Sequence, residues 1–101
     1  MELTGRNSGE RVTLRAGATL TVALAENPTT GFRWHPDDVP GLDLVDDGFD
    51  GAVEPRGASG TRRFTFRATR SGPLNLRLVL RRSWESTVAD DFTVRLEVAE
   101  A

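Results

Sequence analysis

His35 is the only imidazole in the chain, and no cysteine accompanies it. Thiolate catalysis, disulfides and cysteine-ligated zinc are thereby excluded. A metal at His35 would need carboxylates for all its other ligands. The carboxylates come as neighbours: Asp37/Asp38, Asp46/Asp47 and Asp90/Asp91. Adjacent residues of a strand point to opposite faces, so such pairs make poor acid–base dyads. The stretch "DDGFDG", residues 46–51, has the outline of a calcium loop. Gly48 stands where a ligand is required, however, and the closing acid is missing at the needed offset. It reads as a solvated turn. A Ser–His–Asp triad would have to recruit His35, and no Gly-x-Ser-x-Gly elbow is present. His35 itself reads as a residue at the end of a strand. The chain is expected to be no enzyme and to use no metal or cofactor.

Charge narrows the partners further. Thirteen basic residues face fifteen acidic ones, for a net charge of −2. That balance argues against nucleic acid or an anionic membrane as the main partner. Every basic residue is Arg and none is Lys, which reads first as genomic base composition. No apolar run is long enough to span a membrane. The opening "MELTGRNSGE" is polar and unlike a signal peptide. The expectation is a cytosolic protein, or one whose leader has been removed. Its 101 residues are expected to form one domain over 1–101, acting as a monomer.

The elements that must position any site are strands. Apolar residues recur at every second position: Leu20, Val22 and Leu24; Phe64, Phe66 and Ala68; Leu74 through Leu80; Phe92 through Val98. Leu42 and Leu44 flank Asp43 in the same way, and Phe32 and Trp34 flank Arg33. Period 2 puts one face inward and the other toward water. No segment sustains a 3.6 period. The pattern predicts an all-β, antiparallel sandwich of about seven strands, near 11–15, 18–25, 32–35, 42–48, 62–69, 74–81 and 91–98.

If successive strands alternate in direction, the connections alternate between the two ends of the sandwich. Three richer loops then share one end, as binding loops do in immunoglobulin variable domains. The first is "ENPTTG". Pro28 fixes φ, Gly31 can take a positive φ, and Asn27 favours side-chain bonds to nearby backbone. The expected result is a stiff turn presenting Thr29 and Thr30, with a merely stabilising connection as the even alternative. The second holds Gly57, Ala58, Ser59, Gly60 and Thr61, able to bring backbone close to a partner or simply to lie solvated. The third holds Arg82, Ser83 and Trp84. Trp84 falls outside the apolar alternation, and Trp and Arg are enriched in binding hot spots. The competing reading folds it back as a lid on the core. Trp34 continues the face of Phe32 and is expected in the core.

"NPTTGF" at 27–32, "GASGT" at 57–61 and "RSW" at 82–84 resemble the three signature loops of the chagasin family, Ig-like inhibitors of papain-family cysteine proteases. The likeness covers nearly the whole chain in strand order, loop order and spacing. The first motif matches at every position; in the third, Ser83 stands where the family has Pro, and Ser59 stands where it often has Gly. The resemblance implies reversible, non-covalent inhibition of a papain-family protease by a three-loop wedge. Asn27, Pro28, Thr29, Thr30, Gly31 and Phe32 would lie over the catalytic Cys and His. Residues 57–61 would run along the cleft, and Arg82, Ser83 and Trp84 would rest beside the catalytic His. The reading that competes with this is an Ig-like adhesion or scaffold module using the same loops on a non-protease protein or a glycan.

Overall fold

The computed structural model describes residues 1–51 and 60–101. Eight strands are described: β1 (Glu2–Thr4), β2 (Arg11–Arg15), β3 (Thr19–Glu26), β4 (Phe32–Pro36), β5 (Leu42–Asp50), β6 (Gly60–Ala68), β7 (Gly72–Arg82) and β8 (Asp90–Ala99). They form two four-stranded sheets, ordered β1-β3-β6-β5 and β2-β8-β7-β4. The alternating side chains explain the assembly. Leu20, Val22, Phe64 and Phe66 from the first sheet meet Leu76, Leu78, Phe92 and Leu96 from the second, and all are almost fully buried. Each such side chain contributes about 1.5–3 kcal/mol when taken out of water. Trp34 is in this core at 8 % exposure, as the alternation requires.

The interior pairings are antiparallel, and the two N-terminal strands lie parallel to their neighbours. β1 pairs with β3 through Glu2↔Thr21, Leu3↔Val22 and Thr4↔Ala23, and β2 pairs with β8 from Arg11↔Arg95 to Arg15↔Ala99. β1 escapes a periodicity reading because three residues with one apolar side chain, Leu3, do not define a period.

Three local expectations need correction. Residues 46–50 of "DDGFDG" are not a turn but the end of β5. Their carboxylates are taken by arginines of β6: Asp47 by Arg62 and Asp50 by Arg63. Leu44 is not core. It lies opposite Phe66 on the inner face, but β5 is an edge strand with a register shift between Leu44 and Asp46. Leu44 and Val45 stay half exposed there. Val79, expected outward, is buried on the outer face between His35 of β4 and Asp91 of β8.

Register fixes the two ends. Glu26, where β3 stops, pairs with Gly60, where β6 starts. Phe32, where β4 starts, pairs with Arg82, where β7 stops. The β3–β4, β5–β6 and β7–β8 connections therefore leave from one end. At the other end the turns are stitched together by Gly17 N–H to Ala68 O at 2.7 Å and Thr69 N–H to Gly41 O at 2.8 Å. His35 sits near that end of β4, away from the three loops.

Candidate functional site at one end of the sandwich

The β3–β4 loop is a single turn of 3-10 helix, Pro28–Thr30. Asn27 caps it: its Oδ1 accepts from the Thr29 backbone N–H at 3.1 Å and from the Thr29 hydroxyl at 2.8 Å. The Thr30 hydroxyl donates to Asn27 O at 2.8 Å and accepts the Phe32 N–H at 3.2 Å. Pro28 supplies a fixed φ at the start, and Gly31 closes the turn at φ +79°, a value other residues avoid. Each residue of the motif has a geometric task, and the exposed product is the pair Thr29 and Thr30.

The β7–β8 loop leans on this turn. Trp84 is 73 % exposed, so it is not a lid on the core. Its ring edge lies against Gly31: a Cβ built there would sit 2.9 Å from Cη2 of the indole. Arg82 is the strut between the two loops. Its Nε donates to Thr30 O at 3.2 Å, its guanidinium stacks 4.2 Å from the Phe32 ring centre, and its Nη1 is 3.3 Å from Glu85 Oε1. A cation stacked on an aromatic face contributes roughly 0.5–1 kcal/mol in a half-exposed site. The Arg82 donors are thus directed at this chain's own loops. Phe32 is half-buried beneath the guanidinium rather than in the central core. Of the second loop, Gly60 and Thr61 open β6 at the same end. Gly57, Ala58 and Ser59 lie outside the described residues.

Beneath the loops lies a pair that the motif reading missed. The Glu26 side chain is fully buried. Its Oε1 accepts the Trp34 backbone N–H at 2.8 Å, and its Oε2 accepts from Arg62 Nε at 3.1 Å and Nη2 at 2.9 Å. Arg62 continues to Asp47 Oδ1 at 3.1 Å and lies over the Phe49 ring. Burial alone would lower the Arg62 pKa, but the hydrogen bonds and charges of Glu26 and Asp47 raise it. The Trp34 indole N–H donates to Ala25 O at 2.9 Å, adding a second tie between β3 and β4. One carboxylate thus joins β3, β4 and β6, and through Arg62 also β5, at the roots of the first two loops. The signal was present: Glu26 and Arg62 both fall on the inward parity of their strands, where every other residue from Leu20 and from Phe64 is apolar. A lone inward charge is costly, and two of opposite sign at the same end are a pair. Among the described residues, no group of three or more His, Asp or Glu side chains is placed to hold a metal.

Comparison with known proteins agrees with this architecture. Residues 13–98 match the model of the chagasin family of peptidase inhibitors, I42. Amoebiasin-1 from Entamoeba histolytica is 30% identical over 104 residues, covering 97% of this chain and 99% of that protein. The crystal structure of the cysteine protease inhibitor EhICP2 from Entamoeba histolytica superposes with a TM-score of 0.85 at 19% identity, over 96% of this chain and 93% of that one. The fold also recurs, with a TM-score of 0.63 at 12% identity, in PbICP-C in its complex with falcipain-2, over 99% of this chain and 98% of that one. The chain belongs to the chagasin family of peptidase inhibitors and has an Ig-like β-sandwich fold.

Proposed function

We propose that this protein inhibits papain-like cysteine proteases reversibly and without covalent chemistry, by inserting the three loops at one end of the sandwich into the active-site cleft. The carrying observation is the rigid junction of the first and third loops, with Arg82 spanning Thr30 and Phe32 and Trp84 lying against Gly31. Thr29 and Thr30 are small enough for a narrow cleft and would face the catalytic Cys and His. Gly57 to Thr61 would follow the cleft, and Trp84 would lie beside it as the aromatic anchor. That PbICP-C is known in complex with falcipain-2 supports a cysteine protease as partner. Such an interface would bury ~1,600 Å², the usual protease–inhibitor size.

The geometry explains why such a wedge would not be cleaved. A nucleophile must reach a peptide carbonyl at about 3–3.5 Å on the correct trajectory. Asn27 O is held by the Thr30 hydroxyl and Thr30 O by Arg82 Nε. Two carbonyls of the turn are therefore engaged within the chain, and both threonine hydroxyls are tied into the same hydrogen-bond network. Because Pro28, Gly31 and the Asn27 cap fix the loop before contact, little entropy remains to be lost on binding.

Titration of papain and cathepsin L with the purified protein tests this reading. Inhibition below micromolar concentration is expected, and its absence for both enzymes would reject the assignment. Trp84→Ala is expected to weaken inhibition by about 30-fold, the effect of losing a ~2 kcal/mol hot spot. Its thermal midpoint should be unchanged, since the indole is mostly in water. Asp38→Ala, at the far end of the sandwich, should leave inhibition as it was.

A further inference from the structure

The arginines are not spread evenly. On the outer face of the sheet β2-β8-β7-β4, register places Arg11, Arg15, Arg33, Arg77, Arg81 and Arg95, against only Asp91 and Glu97. On the outer face of the other sheet, Glu2, Asp43, Asp46 and Asp50 outnumber Arg63 and Arg67. A chain of net charge −2 thus carries one distinctly basic face. Base composition accounts for Arg in place of Lys, but not for this partition between faces.

Two of the basic residues are cross-strand partners. Arg33 of β4 and Arg81 of β7 sit directly opposite each other, on the rung next to Phe32↔Arg82. Like charges so placed destabilise a sheet, and little offsets them here. Arg33 reaches only to 4.0 Å from Glu26, and Arg81 donates to the backbone oxygens of Arg82 and Glu85 at 3.3 and 3.4 Å. Arg11 and Arg95 repeat the arrangement further along the face; Arg11 has a loose 3.9 Å contact with Glu97. Of the acids at the loop end, Glu85 is committed to Arg82 and Glu26 to Arg62. Arg33 and Arg81 thus place two positive charges near the root of the loops, within the ~8–10 Å over which charges act in physiological salt.

We infer that this face is a recruitment surface for an acidic patch flanking the cleft of the target protease, with Arg33 and Arg81 as the residues that set this preference. The inference rests on the wedge reading above and adds the chemistry of the partner. Its basis is charge complementarity and continuity: the arginine pair begins one residue away from the loops that would enter the cleft. Charges at such a rim raise the association rate and leave dissociation to the buried anchors.

Stopped-flow association with whichever of papain and cathepsin L is bound more tightly provides the test, with Arg33→Glu/Arg81→Glu compared against Arg67→Glu/Arg70→Glu, both exposed and off this face. The second pair carries the same charge change away from the loops. The first variant should associate about tenfold more slowly at low salt, and the gap should close toward 1 M salt, where screening is complete within ~3 Å. Its dissociation rate should be unchanged. Arg33→Gln/Arg81→Gln should lie between, and circular dichroism checks that each variant is folded. Equal association rates for both charge-reversed pairs at every salt concentration would overturn the inference while leaving the inhibitor assignment standing. Loss of inhibition by the unaltered protein would remove both. Retention on heparin or DNA that depends on Arg33 and Arg81, with protease association unaltered, would assign the face to a polyanion and overturn it as well.

Discussion

Gly31→Val is expected to raise the inhibition constant about a hundredfold, ~2.7 kcal/mol of binding, while the sandwich stays folded. Two costs coincide at this position. Gly31 has φ +79°, and a β-branched residue is strained there by roughly 1–3 kcal/mol. A Cβ would also lie 2.9 Å from Cη2 of Trp84, so the indole must move. One substitution therefore disturbs the first loop, which would lose its closing turn, and the third, which would lose its seat. Neither change reaches the core, since Gly31 follows the 3-10 turn and Trp84 is largely exposed. Gly31→Ala separates the two costs: it adds the same Cβ contact with less backbone strain and should fall between the two proteins. The measurement is the inhibition constant toward papain or cathepsin L, with the thermal midpoint followed in parallel. A Gly31→Val protein that inhibits like the unaltered one would mean that the first and third loops need not be locked together.

Trp84 and Gly31 also show where the sequence is legible. That Trp84 lies outside the β alternation is visible in the residue order, and so is the capacity of Gly31 for a positive φ. That the two touch is not, because the contact depends on how far β7 runs before it turns: β7 extends to Arg82, one residue past the end that periodicity suggests. The central strands are legible because β3, β6, β7 and β8 each repeat three or four inward apolar residues. β5 is less so, since Leu44 and Val45 present apolar residues at an edge, where the register slips and burial is incomplete. The turn at 27–31 could be read residue by residue, as each bond there spans three positions or fewer. Contacts across larger separations, such as Arg82 to Thr30, required the fold.

Glu26→Ala is expected to cost about 3–5 kcal/mol of stability, the usual effect of removing one member of a buried ion pair. The loss has two parts. Arg62, whose side chain is only 16% exposed, would keep its charge with only the half-exposed Asp47 left to offset its desolvation. The Trp34 N–H, held by Glu26 Oε1 at 2.8 Å, would be left inside without an acceptor. For a domain of this size the thermal midpoint should fall by on the order of 20 °C. Glu26→Gln should be milder, because an amide oxygen can still accept the Trp34 N–H. Removing both charges in Glu26→Leu/Arg62→Met should cost less than Glu26→Ala alone, since no charge is then stranded in the interior. The double variant also separates stability from function. Glu26 immediately precedes Asn27, and Arg62 immediately follows Thr61, so the pair fastens the roots of the first and second loops. If fastening is its role, the double variant should be folded yet inhibit more weakly, through faster dissociation from the protease, as its loops are no longer held in one arrangement before contact. A double variant with both unaltered stability and unaltered inhibition would show that the Asn27 cap, the Arg82 strut and the surrounding packing hold the loops without the pair, and that the buried carboxylate serves neither purpose.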